Sequence, residues 1–277
     1  MSSAAFLFAK PHKIDFFCTF GHRKLAAVET LYVCLDLLQN NKDQFPMLLH
    51  RIYTAALSRL PNTNVVVVTA PDCLRYCSIH LVAVHSLPQK HWNTPDSHWE
   101  PAGVGFIQTP LPSLSQPLPR CNTVILGGTF DRLHNGHRLL LQTAAYLCSR
   151  TLIVGITSPI LTQNKKFAHL IQSLPVRQRH VASFLEMILP DGVTYNIVTI
   201  EDPVGPAGTL ENAELLVCSM ETKTSALNVN TIRRRNGLSP MQIYSIPILT
   251  LDERCDTSRS MNRISSTYLR KEEMLKS

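Results

Sequence analysis

Glycine is scarce in this chain, eleven among 277 residues, and none sits in the Gly-x-x-x-x-Gly-Lys-Ser/Thr spacing of a P-loop. Chemistry built on that loop is not expected from these residues. Long apolar runs are missing as well. Although 44% of the residues are hydrophobic, nothing approaches the roughly 20 consecutive apolar residues of a membrane-spanning helix. Aromatic residues make up 7%, with two tryptophans, Trp92 and Trp99. Dense charge is confined to Arg233-Arg234-Arg235. The net charge of +7, from 27 basic and 20 acidic side chains, therefore suits phosphorylated small molecules as well as nucleic acid. Three adjacent arginines read as a solvated helix face, so a DNA-reading helix over Thr231 to Asn236 is disfavoured and no nucleic-acid partner is expected. The eight cysteines, Cys18, Cys34, Cys73, Cys77, Cys121, Cys148, Cys218 and Cys255, lack the spacing of a structural zinc site. Cys73, Cys77 and His80 leave its four-ligand set incomplete. They read as reduced thiols of an intracellular protein.

The expected compartment is cytoplasmic. Mitochondrial association stays open, because Met1 to Lys13 carries Lys10 and Lys13 and no acid, but also no arginine.

Seven prolines fall within residues 86 to 120: Pro88, Pro95, Pro101, Pro110, Pro112, Pro117 and Pro119. Such a segment cannot supply a regular hydrogen-bond ladder and reads as a linker, with Trp92 and Trp99 able to pin it to a surface. Before it, residues 1 to 85 carry α/β signals but no catalytic constellation. A strand is expected within Ala27 to Leu38. A helix is expected over Gln44 to Leu60, with Leu48, Ile52 and Ala56 on one face, and a buried strand over Asn64 to Ala70.

From residue 121 to 277 strands and helices alternate. Strands are expected at Thr123–Leu126, Thr151–Thr157, Val193–Ile200, Leu215–Ser219 and Gln242–Leu251. Helices are expected at Gly136–Arg150, Pro175–Leu189, Ser225–Asn236 and Ser265–Leu275, the third stopped by Gly237. This order predicts an α/β fold: a Rossmann-like parallel sheet with helices on both faces, preceded by a smaller α/β region.

The most informative segment is Gly127-Gly128-Thr129-Phe130-Asp131-Arg132-Leu133-His134-Asn135-Gly136-His137. It lies between a strand and a helix, where open α/β sheets bind phosphates. Gly127 and Gly128 let the backbone approach an anion, and Thr129 adds a hydroxyl. His134 and His137, three apart, share one helical face and can donate to phosphate oxygens as charge builds during displacement. Near the end, Ile264-Ser265-Ser266-Thr267-Tyr268-Leu269-Arg270 places three hydroxyls at a helix start with a cation one turn on. That pattern suits a plain helix cap or a polyphosphate.

Together these two motifs resemble those of nucleotidylyltransferases with an HxGH-type motif early and an Ile-Ser-Ser-type motif late. The spacers Gln163 to Phe167, Glu201 to Pro206 and Asn236 to Pro240 narrow the likeness. They look like the phosphopantetheine adenylyltransferase domain of the eukaryotic bifunctional coenzyme A synthase type. The resemblance covers residues 121 to about 272. It implies transfer of the adenylyl group of ATP to 4′-phosphopantetheine, giving dephospho-coenzyme A and pyrophosphate. By that likeness His137, Lys165 and Thr129 are catalytic. Gly127, Gly128, Phe130, His134, Ser265, Ser266, Thr267 and Arg270 join His137 in holding ATP. Thr129, Lys165, Lys166 and Lys223 hold the attacking phosphate, with Lys165 leading. Lys223 lies in Glu221 to Ser225, where bacterial members place arginines. Mg²⁺ is expected to come with ATP, with no protein metal cage. No dephospho-coenzyme A kinase activity is expected from these 277 residues. The alternatives are another nucleotidylyltransferase, such as a cytidylyltransferase, and a non-catalytic relative that kept the fold. Oligomeric state and protein partners stay unassigned.

Overall fold

The computed structural model describes residues 4–9, 30–35, 45–59, 63–69, 120–249 and 264–275. The chain separates into two compact units, the first reaching to Pro117 and the second beginning at Leu118. The expected linker, with Trp92 and Trp99, and the Cys73, Cys77 and His80 set lie outside the described residues, Arg120 excepted.

In the first unit, β1 (Ala4–Ala9), β2 (Thr30–Leu35) and β3 (Asn64–Thr69) form a parallel sheet in the order β1-β2-β3. Helix α1 (Phe45–Arg59) connects β2 to β3. Its buried stripe of Leu48, Leu49, Ile52, Tyr53 and Ala56 follows the helical period read from the sequence. The Tyr53 hydroxyl donates to the Val65 carbonyl at 3.2 Å and so ties the helix to β3. Strand β1 was not foreseen.

The second unit holds a five-stranded sheet in the order β6-β5-β4-β7-β8, parallel throughout. Its strands are β4 (Cys121–Gly128), β5 (Cys148–Thr157), β6 (Thr194–Ile200), β7 (Leu215–Ser219) and β8 (Gln242–Ile246). Its helices are α2 (Asn135–Leu147), the single turn α3 (Pro159–Thr162), α4 (Leu174–Ile188), α5 (Lys223–Arg235) and α6 (Ser266–Met274). Alternate residues of the strands serve opposite faces. Ile125, Ile153 and Leu216 pack with Ala226 and Val229 of α5, while α2 lies against β4 and β5, and α4 against β5 and β6. The expected sheet with helices on both faces is present. The chain winds outward from β4 in one direction and from β7 in the other, so the strand order reverses between them. Ligands of open parallel sheets bind at the carboxyl ends of the strands at such a point.

Several boundaries differ from expectation: β4 runs Cys121–Gly128 rather than Thr123–Leu126, β5 begins at Cys148 rather than Thr151, and three further ends shift. Helix α2 stops at Leu147, not Arg150, because Cys148 is already extended and pairs with Cys121 in the ladder. Strand β8 stops at Ile246 rather than Leu251, just before Pro247, which has no N–H to donate. Helix α5 begins at Lys223, two residues early. Its end is as read: Gly237 has φ +74°, and Gly237 and Leu238 donate to the carbonyls of Arg234 and Arg233, a Schellman cap. The arginine run is a correction. Arg233 is fully buried, not solvated. It donates at 2.8 Å to each of the carbonyls of Ala207, Leu210 and Ser239, knitting two loops to α5. Among the described residues, no helix is long and apolar enough to cross a membrane.

Candidate active site

A cleft of about 530 Å³ opens at the carboxyl ends of β4 and β7, where the strand order reverses. Four segments supply most of its polar lining: the glycine turn with the start of α2, the segment after α3 that carries Lys165, the stretch from Ser219 to Ser225 at the start of α5, and the turn into α6.

Gly127 and Gly128 end β4, and the chain then turns sharply. Phe130 and Arg132 have φ of 50° and 47°, the left-handed region that costs a side-chain-bearing residue about 1 kcal/mol or more. The strain is held by buried partners. Arg177, from α4, donates to the Thr129 carbonyl at 2.8 Å and to the Gln172 carbonyl at 2.9 Å. The Asp131 carboxylate, fully buried, accepts from the Gln172 N–H at 3.0 Å and from Arg270 at 2.6 Å.

His134 is the N-cap of α2, and its ring stacks on that of His137, with centroids 3.8 Å apart and an interplanar angle of 21°. Both rings line the cleft. Gly136 makes the stack fit: a Cβ there would come 3.1 Å from the His134 Cε1 and Nδ1. Each Nδ1 is buried and has no hydrogen-bond partner among the described residues. Burial lowers the His134 pKa to about 4, against the opposing pull of Asp131. Burial, then the neighbouring His134 and Lys165, hold His137 well below the usual imidazole range. Both rings are therefore neutral near pH 7, and each carries one N–H donor.

Lys165 lines the same cleft. Partial desolvation, then the charges of Arg270 and Arg177, lower its ammonium below the ordinary lysine range, with Asp131 opposing them. In the turn into α6, each hydroxyl has a protein partner. Ser265 Oγ accepts from the Tyr268 N–H at 3.2 Å and so caps the helix. Ser266 Oγ donates to the Asp131 carbonyl at 2.8 Å, and Thr267 Oγ1 accepts from Arg270 at 3.1 Å. This leaves the first-turn N–H groups of Ser266 and Thr267 without an acceptor among the described residues, a ready anion site.

Of the residues singled out from sequence, Gly127, Gly128, Thr129, His134, His137, Lys165, Ser265, Ser266, Thr267 and Arg270 all line this cleft. Three stand apart from its lining. Phe130 is 0% exposed; its ring supports His137 at a centroid distance of 5.2 Å and has no surface to offer a ligand directly. Lys166 is exposed, and its carbonyl accepts from Arg270. Lys223 is exposed at the start of α5, beside Thr222, which does line the cleft. Sequence reasoning missed Asp131 and Arg177, and also the apolar wall of Leu161, Ile200, Pro203 and Val204. The segment Glu201 to Pro206 had been singled out as a family marker, yet nothing local in it signals a cleft wall.

Comparison with known proteins shows the family to which the chain belongs. Residues 125–272 match the family described as cytidylyltransferase-like. A phosphopantetheine adenylyltransferase of Saccharomyces cerevisiae is 39% identical over 146 residues, which is 53% of this chain and 47% of that protein. This chain thus spans about half the length of the yeast relative. Phosphopantetheine adenylyltransferases of Thermococcus kodakarensis and Thermococcus gammatolerans are 38% and 37% identical, with matches covering 74% and 86% of those proteins.

Proposed function

Because the chain belongs to the cytidylyltransferase-like family, we propose that it transfers the adenylyl group of ATP to 4′-phosphopantetheine, releasing pyrophosphate and forming dephospho-coenzyme A. The substrates are those implied by the name shared by its yeast and Thermococcus relatives. One observation carries the reading. Two stacked neutral imidazoles, Lys165 and a helix N-terminus converge on a single cleft at the strand-order reversal.

In this reaction a phosphate oxygen of 4′-phosphopantetheine forms a bond to the α-phosphorus of ATP. The bond from that phosphorus to the bridging oxygen breaks, and pyrophosphate leaves with the electron pair. The nucleophile is already an anion, so no general base is needed, and the protein contributes alignment and charge stabilisation. His137 and His134 would donate to ATP phosphate oxygens, His137 at the α-phosphate. Their neutrality lets them enter without a competing counter-ion, and an arriving polyanion would favour their protonation. Lys165 would meet the attacking phosphate, assisted by Thr129, whose hydroxyl lies 3.2 Å from that of Thr157. The position of Lys165 in the cleft lining favours it over Lys166. The N–H groups at Ser266 and Thr267 would take the β- and γ-phosphates.

A magnesium ion would be delivered on the nucleotide, since Asp131, the carboxylate beside the glycine turn, is already engaged by Arg270, Arg132 and the Gln172 N–H. Such an ion would neutralise phosphate charge.

The test is pyrophosphate release by the purified protein with 4′-phosphopantetheine and either ATP or CTP. ATP is expected to support turnover and CTP to be a poor substitute. A preference for CTP would make the protein a cytidylyltransferase. No release with either would leave a non-catalytic relative.

A further inference from the structure

One buried side chain joins the glycine turn, the Lys165 segment and the turn into α6. Arg270 is 1% exposed. Its Nη1 donates to Asp131 Oδ2 at 2.6 Å, in the glycine turn. Its Nε and Nη2 both donate to the Lys166 carbonyl, at 3.2 and 2.9 Å. Nη2 also donates to Thr267 Oγ1 at 3.1 Å, in its own helix. Four hydrogen bonds to protein groups occupy most of a guanidinium that has five N–H donors. Arg270 is thus poorly placed to spend donors on a nucleotide, despite lying at the cleft.

Those bonds also fix where Lys165 stands. The carbonyl gripped twice belongs to the next residue, and Phe167 beyond it is held at φ 56°, a left-handed conformation. The far end of the same segment is anchored to the same carboxylate, through the Gln172 N–H. The turn into α6 reaches the same point from the other side, since Ser266 Oγ donates to the Asp131 carbonyl. A planar fork can serve two acceptors in different directions at once; an ammonium on a flexible stem cannot hold both in register.

We propose that Arg270 is a positioning residue. Through Asp131 and the Lys166 carbonyl it sets Lys165 relative to the turn at Ser265 to Thr267, so that phosphate binding at that turn and presentation of the lysine amine are coupled. This rests on the reaction proposed above and assigns within it how the ATP side of the cleft is aligned with the nucleophile side.

The experiment compares wild type, Arg270→Lys, Asp131→Asn, Lys165→Ala and the Arg270→Lys/Lys165→Ala double variant, each checked for folding by circular dichroism. For Arg270→Lys, the Kd for ATP should change by less than about threefold. Its kcat should fall about tenfold or more and its KM for 4′-phosphopantetheine should rise, as expected when a reacting group is misplaced. In the Lys165→Ala background the same substitution should cost less than about twofold, because its effect runs through that amine. Asp131→Asn, which keeps shape and loses charge, should reproduce the pattern in weaker form, and serves as the decisive variant if Arg270→Lys does not fold. Hydrogen exchange with ATP alone provides a second arm: ATP should slow exchange at the amides of residues 165 to 172 in wild type and not in Arg270→Lys.

Loss of ATP affinity with unchanged kcat would overturn the proposal in favour of direct contact. Full additivity with Lys165→Ala, or a lower melting temperature with unchanged steady-state constants, would overturn it in favour of packing alone. If wild type turns over no substrate, the proposed reaction fails. The exchange arm still decides the coupling, and an absence of protection in wild type sinks it.

Discussion

The imidazoles of His134 and His137 lie 3.8 Å apart in a near-parallel stack at the mouth of a parallel sheet. Two rings so placed would repel if both were charged. Burial holds both below the usual imidazole range, so they are neutral near pH 7; in the proposed reaction an arriving polyanion would favour their protonation. The arrangement depends on the residue between them, on the ring beneath them and on the turn that delivers them.

Gly136→Ala separates site geometry from stability. The added methyl would meet the His134 ring at 3.1 Å, and the ring must give by a few tenths of an ångström, which disturbs its stack on His137. Alanine is the better helix former by about 0.5–1 kcal/mol. Turnover is expected to drop about tenfold or more while the melting temperature holds or rises. Unchanged kcat would mean that the stack is not needed.

The neutral imidazoles also set an acid limit. Well above pH 6.5, the ordinary imidazole value, neither the folded nor the unfolded chain protonates these rings appreciably. Below it the unfolded chain takes up protons that the folded chain refuses, so stability falls as pH drops towards about 4, the folded value for His134. His137, held lower still than the usual range, extends the loss. Melting temperatures measured from pH 7.5 to 4 should fall more steeply for wild type than for the His134→Gln/His137→Gln variant. Parallel curves would contradict the assigned direction.

Arg233 and Arg234 are neighbours with opposite fates. Arg233→Ala strands three loop carbonyls inside the protein, at a cost of about 3 kcal/mol in chemical denaturation. Arg234→Ala, on the exposed face, should stay within about 0.5 kcal/mol. Equal effects would contradict the burial pattern.

Metal removal gives a further check. Among the described residues, no three His, Cys, Asp or Glu side chains cluster as a metal site. EDTA should abolish pyrophosphate release, and excess Mg²⁺ should restore it. The melting temperature of the nucleotide-free protein should stay the same. A lower melting temperature with EDTA would point to an ion held by the protein itself.

Much of the site was legible because its parts are local. Gly127 to His137 and Ile264 to Arg270 each carry their chemistry within one turn and one helix start, so spacing alone groups their residues. The strands were legible for a similar reason: buried parallel strands such as Leu215–Ser219 are short continuous apolar runs. Legibility ended where partners are far apart in sequence. Asp131 and Arg270 are 139 residues apart, and nothing in either neighbourhood marks them as a pair. Arg177 reads as an ordinary helix cation until its contact with the Thr129 carbonyl is seen. Phe130 sits in the motif yet turns inward, because a left-handed backbone at that position points its ring beneath His137. The end of α2 was misplaced because Cys148 to Arg150 fit a helix locally, and only the ladder with β4 makes them strand.

The most direct measurement follows the α-phosphate. ATP labelled there is mixed with 4′-phosphopantetheine and excess enzyme, and the label is traced in a single turnover. The account predicts that it appears in dephospho-coenzyme A, with one pyrophosphate released per label transferred. With His137→Ala the rate should be lower by about 10²–10³-fold. Label that stays in ATP, or equal rates for the two proteins, would contradict it.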